Sequence, residues 1–152
     1  MPTATLTTGI DCCYEQHGDP VDPTIVLVHG LGSQLLAWPP AFCDLLVAEG
    51  FHVVRLDNRD SGLSTYVADD SAYTLSDMAA DGVALLDHLG TADAHFVGMS
   101  LGGMIVQTVA AEHPDRCRSM VSMASNTGNR DFGRPSGEVL EAMMAEAPDD
   151  PA

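Results

Sequence analysis

Phe96-Val97-Gly98-Met99-Ser100-Leu101-Gly102-Gly103 is the stretch on which the fold turns. It reads as the end of a buried strand, a sharp turn on Ser100 and the first turn of a helix. Residues 94–97, Ala-His-Phe-Val, are apolar enough for a buried strand. Leu101, Ile105 and Val109 then recur at helical spacing, with Met104 and Val106 beside them. The pattern G-x-S-x-G sits at the junction. A serine hydroxyl is a weak nucleophile until a base takes its proton, and a strained strand-to-helix turn lifts its Oγ clear of the chain. Glycines two residues to either side let such a turn close without Cβ clashes. The helix that follows aims backbone N–H groups at negative charge developing beside the serine.

Outward from this turn, strands and helices alternate. Residues 4–10 and 12–17 read as two short antiparallel strands joined at Gly9-Ile10-Asp11. Residues 18–23 are a turn cluster. The β-branched run 24–28 reads as a buried parallel strand ending at His29-Gly30. Residues 35–49 suit a helix with Pro39-Pro40 near its first turn. A strand at 52–56 leads into a polar loop, 57–66. Leu75, Met78, Val83, Leu86 and Leu89 predict an amphipathic helix over 74–89, capped by Thr74 or Ser76 and closed by Gly90. The last strand is expected at 119–124. Residues 126–151 are punctuated by glycine and proline, with a helical stretch at 138–146.

This alternation predicts an α/β fold: a mostly parallel sheet with helices on both faces. Ligands of such sheets bind outside the carboxyl ends of the strands. His29-Gly30, Asp57-Asn58 and Ser100 all fall at such ends, so three loops are expected to meet at one crevice.

Composition bounds the rest. A chain of 152 residues, 45% hydrophobic and 18% charged, suits one globular domain with a core. No run of apolar residues is long enough for a membrane-spanning helix. Residues 1–9 lack the basic start and apolar stretch of a signal peptide, so a cytoplasmic location is expected. The net charge is −16 and all six basic residues are arginines, a surface that repels nucleic acid and anionic membranes. Cys12, Cys13, Cys43 and Cys117 form no metal-ligand spacing and read as buried free thiols.

Three segments carry a resemblance: Val26-Leu27-Val28-His29-Gly30-Leu31-Gly32, Asp57-Asn58-Arg59-Asp60-Ser61-Gly62-Leu63-Ser64 and Gly98-Met99-Ser100-Leu101-Gly102-Gly103. In this order and spacing the chain resembles the α/β-hydrolase family, from Leu6 to Asn129. Its D-N-R-D-x-G-x-S loop and Ser125-Asn126-Thr127-Gly128-Asn129 look most like the bacterial esterases related to aclacinomycin methylesterase. The resemblance implies that Ser100 attacks the carbonyl of a small-molecule ester. It implies an oxyanion hole made by the backbone N–H groups of Leu31 and Leu101, each worth roughly 3 kcal/mol in the transition state. His29 is expected to shape the oxyanion turn rather than act as base, with Gly30, Gly98 and Gly102 as structural neighbours. No metal or organic cofactor is implied. Residues 1–129 would be the N-terminal part of the hydrolase domain, and 130–152 the start of a cap.

The family's chain order is serine, then acid, then histidine. No histidine follows His113, which lies about 18 Å down the helix from Ser100 at 1.5 Å per residue. Ser125-Asn126 stand where some relatives place the acid. Asp131, Glu138, Glu141, Asp149 and Asp150 lack a following G-H. The expectation is a fold truncated after about the sixth strand, lacking triad acid and histidine, with little turnover. Its last strand would be an open, apolar, aggregation-prone edge. Two alternatives stand beside this reading: a non-catalytic binding module of the same fold, and a cofactor-free haloperoxidase-like or C–C bond hydrolase. A dinucleotide site is excluded, because Leu35 stands where its third glycine is needed. Arg59 and Asp60 read as an ion pair holding their loop, and Asp57 as a cap of the same turn. Trp38 and Leu35 suit either a pocket wall or the core. Substrate identity and oligomeric state are written in none of these motifs.

Overall fold

The computed structural model describes residues 1–68, 72–129, 133 and 136–145. Its elements, in chain order, are β1 (Thr3–Thr5), β2 (Asp11–His17), β3 (Thr24–Val28), α1 (Pro40–Ala48), β4 (His52–Leu56), α2 (Leu75–Leu89), β5 (Ala94–Met99), α3 (Leu101–Glu112), β6 (Cys117–Met123) and α4 (Gly137–Met144). They build one six-stranded sheet in the order β1-β2-β4-β3-β5-β6. The strands β4, β3, β5 and β6 are parallel, while β1 and β2 form a hairpin antiparallel to the rest. The α/β expectation therefore holds.

Alternation along the central strands divides the core. Val26, Val28, Val54 and Phe96 face α2 and α3, where Leu85, Leu86, Ile105 and Val106 close over them. Ile25, Leu27 and Val53 face the other way, toward Trp38 and Cys43. All five residues of β3 and of β4 are buried, which is why these two strands read as continuous apolar runs. Cys12 and Cys13 are both buried although they are neighbours, because both faces of β2 are covered. Cys43 is also buried, but Cys117, at the start of the edge strand β6, is only partly covered, against the expectation; all four thiols are free.

Local chemistry sets the ends of α2. The Thr74 Oγ1 accepts from the Asp77 N–H at 3.3 Å, and the Asp77 carboxylate accepts from the Thr74 N–H at 2.7 Å. This reciprocal cap is worth about 1 kcal/mol. Gly90 ends the helix at φ 68.

Three expectations shift. The first strand is shorter, because Leu6 N donates to Ile10 O at 2.8 Å and Gly9 N to Leu6 O at 3.0 Å, folding residues 6–10 into a turn. The helix expected over 35–49 is divided: a 3-10 turn at Leu35–Ala37, then Trp38 extended at φ −94, ψ 98, then α1. Pro39 explains the break, since a residue before proline is driven out of the helical region. The last strand begins at Cys117 rather than residue 119, with a register shift opposite Ala94 and His95.

β6 pairs with β5 alone among the described residues and leaves Met120 and Val121 about half exposed. Ser136 caps α4 by accepting from the Val139 N–H. Asp131, Asp149 and Asp150 lie outside the described residues. Among the described residues no helix is long and apolar enough to cross a membrane.

Candidate active site

Ser100 joins β5 to α3 at φ 54, ψ −117, a conformation that side chains rarely adopt and that costs on the order of 1–3 kcal/mol. Its surroundings hold it there. Ser100 N donates to Met123 O on β6 at 2.9 Å, and Ser100 O accepts from Met104 N at 3.2 Å. The flanking glycines are there for close approach. A Cβ on Gly98 would land on the Gly102 carbonyl, and one on Gly102 would land on the Val28 carbonyl. The first turn of α3 is thereby pressed onto the end of β3. Gly103 serves the same packing on its other side, where a Cβ would stand 2.7 Å from Ser122 Oγ. That role was not drawn from the sequence, although the doubled glycine after the serine signals it.

Gly30 completes the approach. A Cβ there would stand 3.2 Å from Ser100 Cβ and 3.3 Å from Met99 O. The loop after β3 thus runs beside the elbow. Among the described residues, neither the Leu31 N–H nor the Leu101 N–H donates to a protein acceptor, and Ser100 Oγ has no hydrogen-bond partner. Two unspent donors and one unspent hydroxyl therefore lie on adjoining residues of the two loops.

His29 is buried and bonded at both ring nitrogens. The Asn58 N–H donates to its Nε2 at 3.1 Å, which places the ring proton on Nδ1, donating to Gly30 O at 2.8 Å. Burial holds its pKa below the usual 6.5, so the ring is neutral. Asn58 Nδ2 also donates to His29 O at 3.3 Å. The histidine ties the loop after β3 to the loop after β4.

The other histidines are engaged elsewhere. His52 bonds Thr24 Oγ1 and Gln16 Oε1 within the sheet, each at 3.0 Å. His88 meets the Tyr14 hydroxyl, His95 meets Ser119 Oγ, and His17 lies beside Glu15. His113 ends α3. None lines the open cleft whose wall includes Gly30 and Leu101, among the described residues.

Asp57 organises the loop after β4. Its buried carboxylate accepts from Leu35 N at 2.7 Å and Leu63 N at 2.9 Å, so it caps its own turn as expected and also anchors the loop after β3. Gly62 is at φ 54, and a Cβ there would land on that carboxylate.

The expected Arg59–Asp60 pair does not form. Arg59 reaches to α2 instead, with Nε donating to Asp81 Oδ2 at 2.8 Å and Nη2 to Asp81 Oδ1 at 2.9 Å. The reason is local: Asp60 is at φ 61, and Asp81 is a buried acid that needs a cation. Asp60 accepts instead from Val67 N at 2.6 Å and from the Tyr73 hydroxyl, and these bonds hold its carboxyl below the usual range. Leu35 and Trp38 belong to the core.

The loops after β3, β4 and β5 line one open cleft of about 870 Å³. Gly30 and Leu31 form one part of its wall, Asn58, Arg59 and Asp60 another, and Leu101 a third. Among the described residues no group of His, Cys, Asp and Glu is arranged to hold a metal ion.

The sequence model of the alpha/beta hydrolase fold matches residues 23–151. Rhodomycin D methylesterase of Streptomyces peucetius is 37% identical over 136 residues, covering 87% of this chain and 45% of that protein. Epoxide hydrolase B of Mycobacterium tuberculosis (strain H37Rv) is 30% identical over 135 residues, covering 86% of this chain and 38% of that protein. Among solved structures, the enol-lactonase of Burkholderia xenovorans LB400 matches with a TM-score of 0.74 and 32% identity, covering 82% of this chain and 46% of that one. The chain spans less than half the length of these relatives.

Proposed function

This chain belongs to the alpha/beta hydrolase fold family, and from that premise we propose that it carries the nucleophile of a serine hydrolase acting on small carboxylic esters. One observation carries the reading: Ser100 stands at a strained turn with a free hydroxyl, beside the undonated N–H groups of Leu31 and Leu101. Ser100 Oγ attacks the ester carbonyl carbon as a base removes its proton. The carbonyl oxygen becomes an oxyanion held by the two N–H groups. Collapse expels the alcohol, which takes up the proton, and water then releases the acid from Ser100. His29 positions the Leu31 turn and does not act as base, since both its nitrogens are committed.

The base and its orienting acid are left unassigned: no described histidine lines the cleft, both nitrogens of His29 are committed, and Asp131, Asp149 and Asp150 lie outside the described residues. Without them the oxyanion hole and binding supply only a residual rate. The likeness to a methylesterase and an enol-lactonase supports an ester or lactone carbonyl as the target.

The test is labelling by a fluorophosphonate, with and without added imidazole as a surrogate base. Mass spectrometry should find slow modification at Ser100, faster with imidazole and absent in Ser100→Ala. An unmodified Ser100 at high imidazole, in a protein that still binds esters, would leave a binding module instead. Rapid ester turnover without imidazole would show that these 152 residues already supply a base.

A further inference from the structure

The charges around the cleft do not cancel. Arg59 is the one cation among the described lining residues, and its guanidinium is committed to Asp81 through two bonds of 2.8 and 2.9 Å. Both side chains are nearly buried, at 9% and 6% exposure. Arg59 is further fixed by lying 5.0 Å over the Tyr73 ring. Among the described residues Asp60 forms no ion pair; the charge of neighbouring Arg59 acts on it only as a lesser effect beside its two hydrogen bonds. The partners of its carboxylate are the Val67 N–H and the Tyr73 hydroxyl, both neutral donors. A carboxylate offers about four acceptor positions, so capacity remains. Asp60, Arg59 and Asp81 together leave one negative charge at the cleft, in a chain of net charge −16.

Exposed apolar side chains also line the same cleft, among its polar ones. Leu31 is 82% exposed, Tyr66 69% and Leu36 48%. Large apolar side chains left in water beside fixed polar groups in a cleft are features of a ligand site.

We propose that the substrate of the Ser100 site is an ester carrying a cationic amine, whose positive charge is received by Asp60 while its apolar body rests on Leu36 and Tyr66. The inference rests on reading this cleft as the substrate side of the serine site. Arg59 does not recruit an anionic ester, because its charge is already matched by Asp81. An anionic group would instead meet the Asp60 carboxylate, which forms no ion pair among the described residues, and the field of the whole chain. The exposed Tyr66 ring adds a face on which an ammonium group is favourable.

A matched ester set tests this: benzoylcholine, its neutral isostere 3,3-dimethylbutyl benzoate, and the anion 4-benzoyloxybutanoate. Dissociation constants are read by NMR titration of the 152-residue chain and of Ser100→Ala, in which hydrolysis plays no part. Benzoylcholine should bind roughly tenfold more tightly than the neutral ester, with the anion weakest, as expected for one partly screened charge pair. Shifts should fall on Asp60, Tyr66 and Tyr73. Asp60→Asn should abolish the preference; asparagine tolerates positive φ and can still accept from Val67 N, so the loop is kept. Asp115→Asn removes the same charge at an exposed site away from the cleft and should leave the preference intact. Equal binding of cation and neutral ester, a preference that survives Asp60→Asn, or shifts confined to other surfaces would each overturn the proposal. The same preference in Ser100→Ala would keep it standing even if Ser100 resisted labelling.

Discussion

Gly30 leaves Ser100 room for a hydrogen and little more: a Cβ on Gly30 would stand 3.2 Å from the Ser100 Cβ and 3.8 Å from its Oγ. The loop carrying one proposed oxyanion donor is therefore in direct contact with the residue carrying the proposed nucleophile. Their relative position is set by packing, since no hydrogen bond joins them.

Gly98, Gly30 and Gly90 should rank by what surrounds them. Gly98→Ala sets a methyl group against the rigid backbone of Gly102 and should cost about 3 kcal/mol or more. Gly30→Ala meets a softer contact and should cost about 1 kcal/mol, while slowing Ser100 labelling. Gly90→Ala faces open space at φ 68 and should lose only the backbone term, about 1 kcal/mol. Urea midpoints of the three variants check the order.

Asp57→Ala should destabilise by about 3 kcal/mol, because it leaves the N–H groups of Leu35 and Leu63 without an acceptor in the interior. Asp57→Asn keeps one carbonyl oxygen and should cost about half as much. Denaturant titration separates the two. Amide exchange should show the loss at both donors.

Asp81→Ala strands a nearly buried guanidinium and should cost about 3–5 kcal/mol. Replacing both partners, as Arg59→Met with Asp81→Leu, should recover most of that loss. The double-mutant cycle gives the coupling directly. A pair that cost nothing to break would show Arg59 to be solvated in the folded state.

Stability should fall on mild acidification. Burial lowers the pKa values of His29 and His52 below 6.5, so near that pH the unfolded chain binds protons that the folded chain refuses. This contribution is complete above pH 6.5 and is lost as the pH falls below it. Asp60 and Asp77 have lowered pKa values, so their contribution persists until the pH approaches 3.8. The urea midpoint should hold between about pH 8 and pH 7 and decline from about pH 6.5 to pH 5. His52→Gln should flatten part of the decline.

Strands buried on both faces were the easiest to read. β3 and β4 fall on the expected residues, because a parallel strand between two helical layers needs apolar side chains at every position. The elbow was legible for a different reason: Gly98 and Gly102 stand where backbone meets backbone, and no other residue type fits. Arg59 pairs with Asp81, 22 positions away, rather than with its sequence neighbour Asp60, because α2 brings that buried acid to it. A signal was present, since Asp81 interrupts the apolar face of α2 between Met78 and Leu85. The break at Trp38 could likewise have been drawn from Pro39. That the Nε2 of His29 is committed is set by the loop after β4, which no local spacing encodes.

Ser100 is suspended from the outermost strand of the sheet through its own amide, bonded to Met123 O. That amide is therefore a clock for the whole edge. When β6 peels away, the Ser100 N–H meets solvent and the anchor of its strained backbone is gone, before the central strands have moved. Deuterium uptake at a single position would report how often the proposed nucleophile is lost and regained. Anything that clasped β6 from outside would slow that exchange and, from a distance, keep the serine cocked.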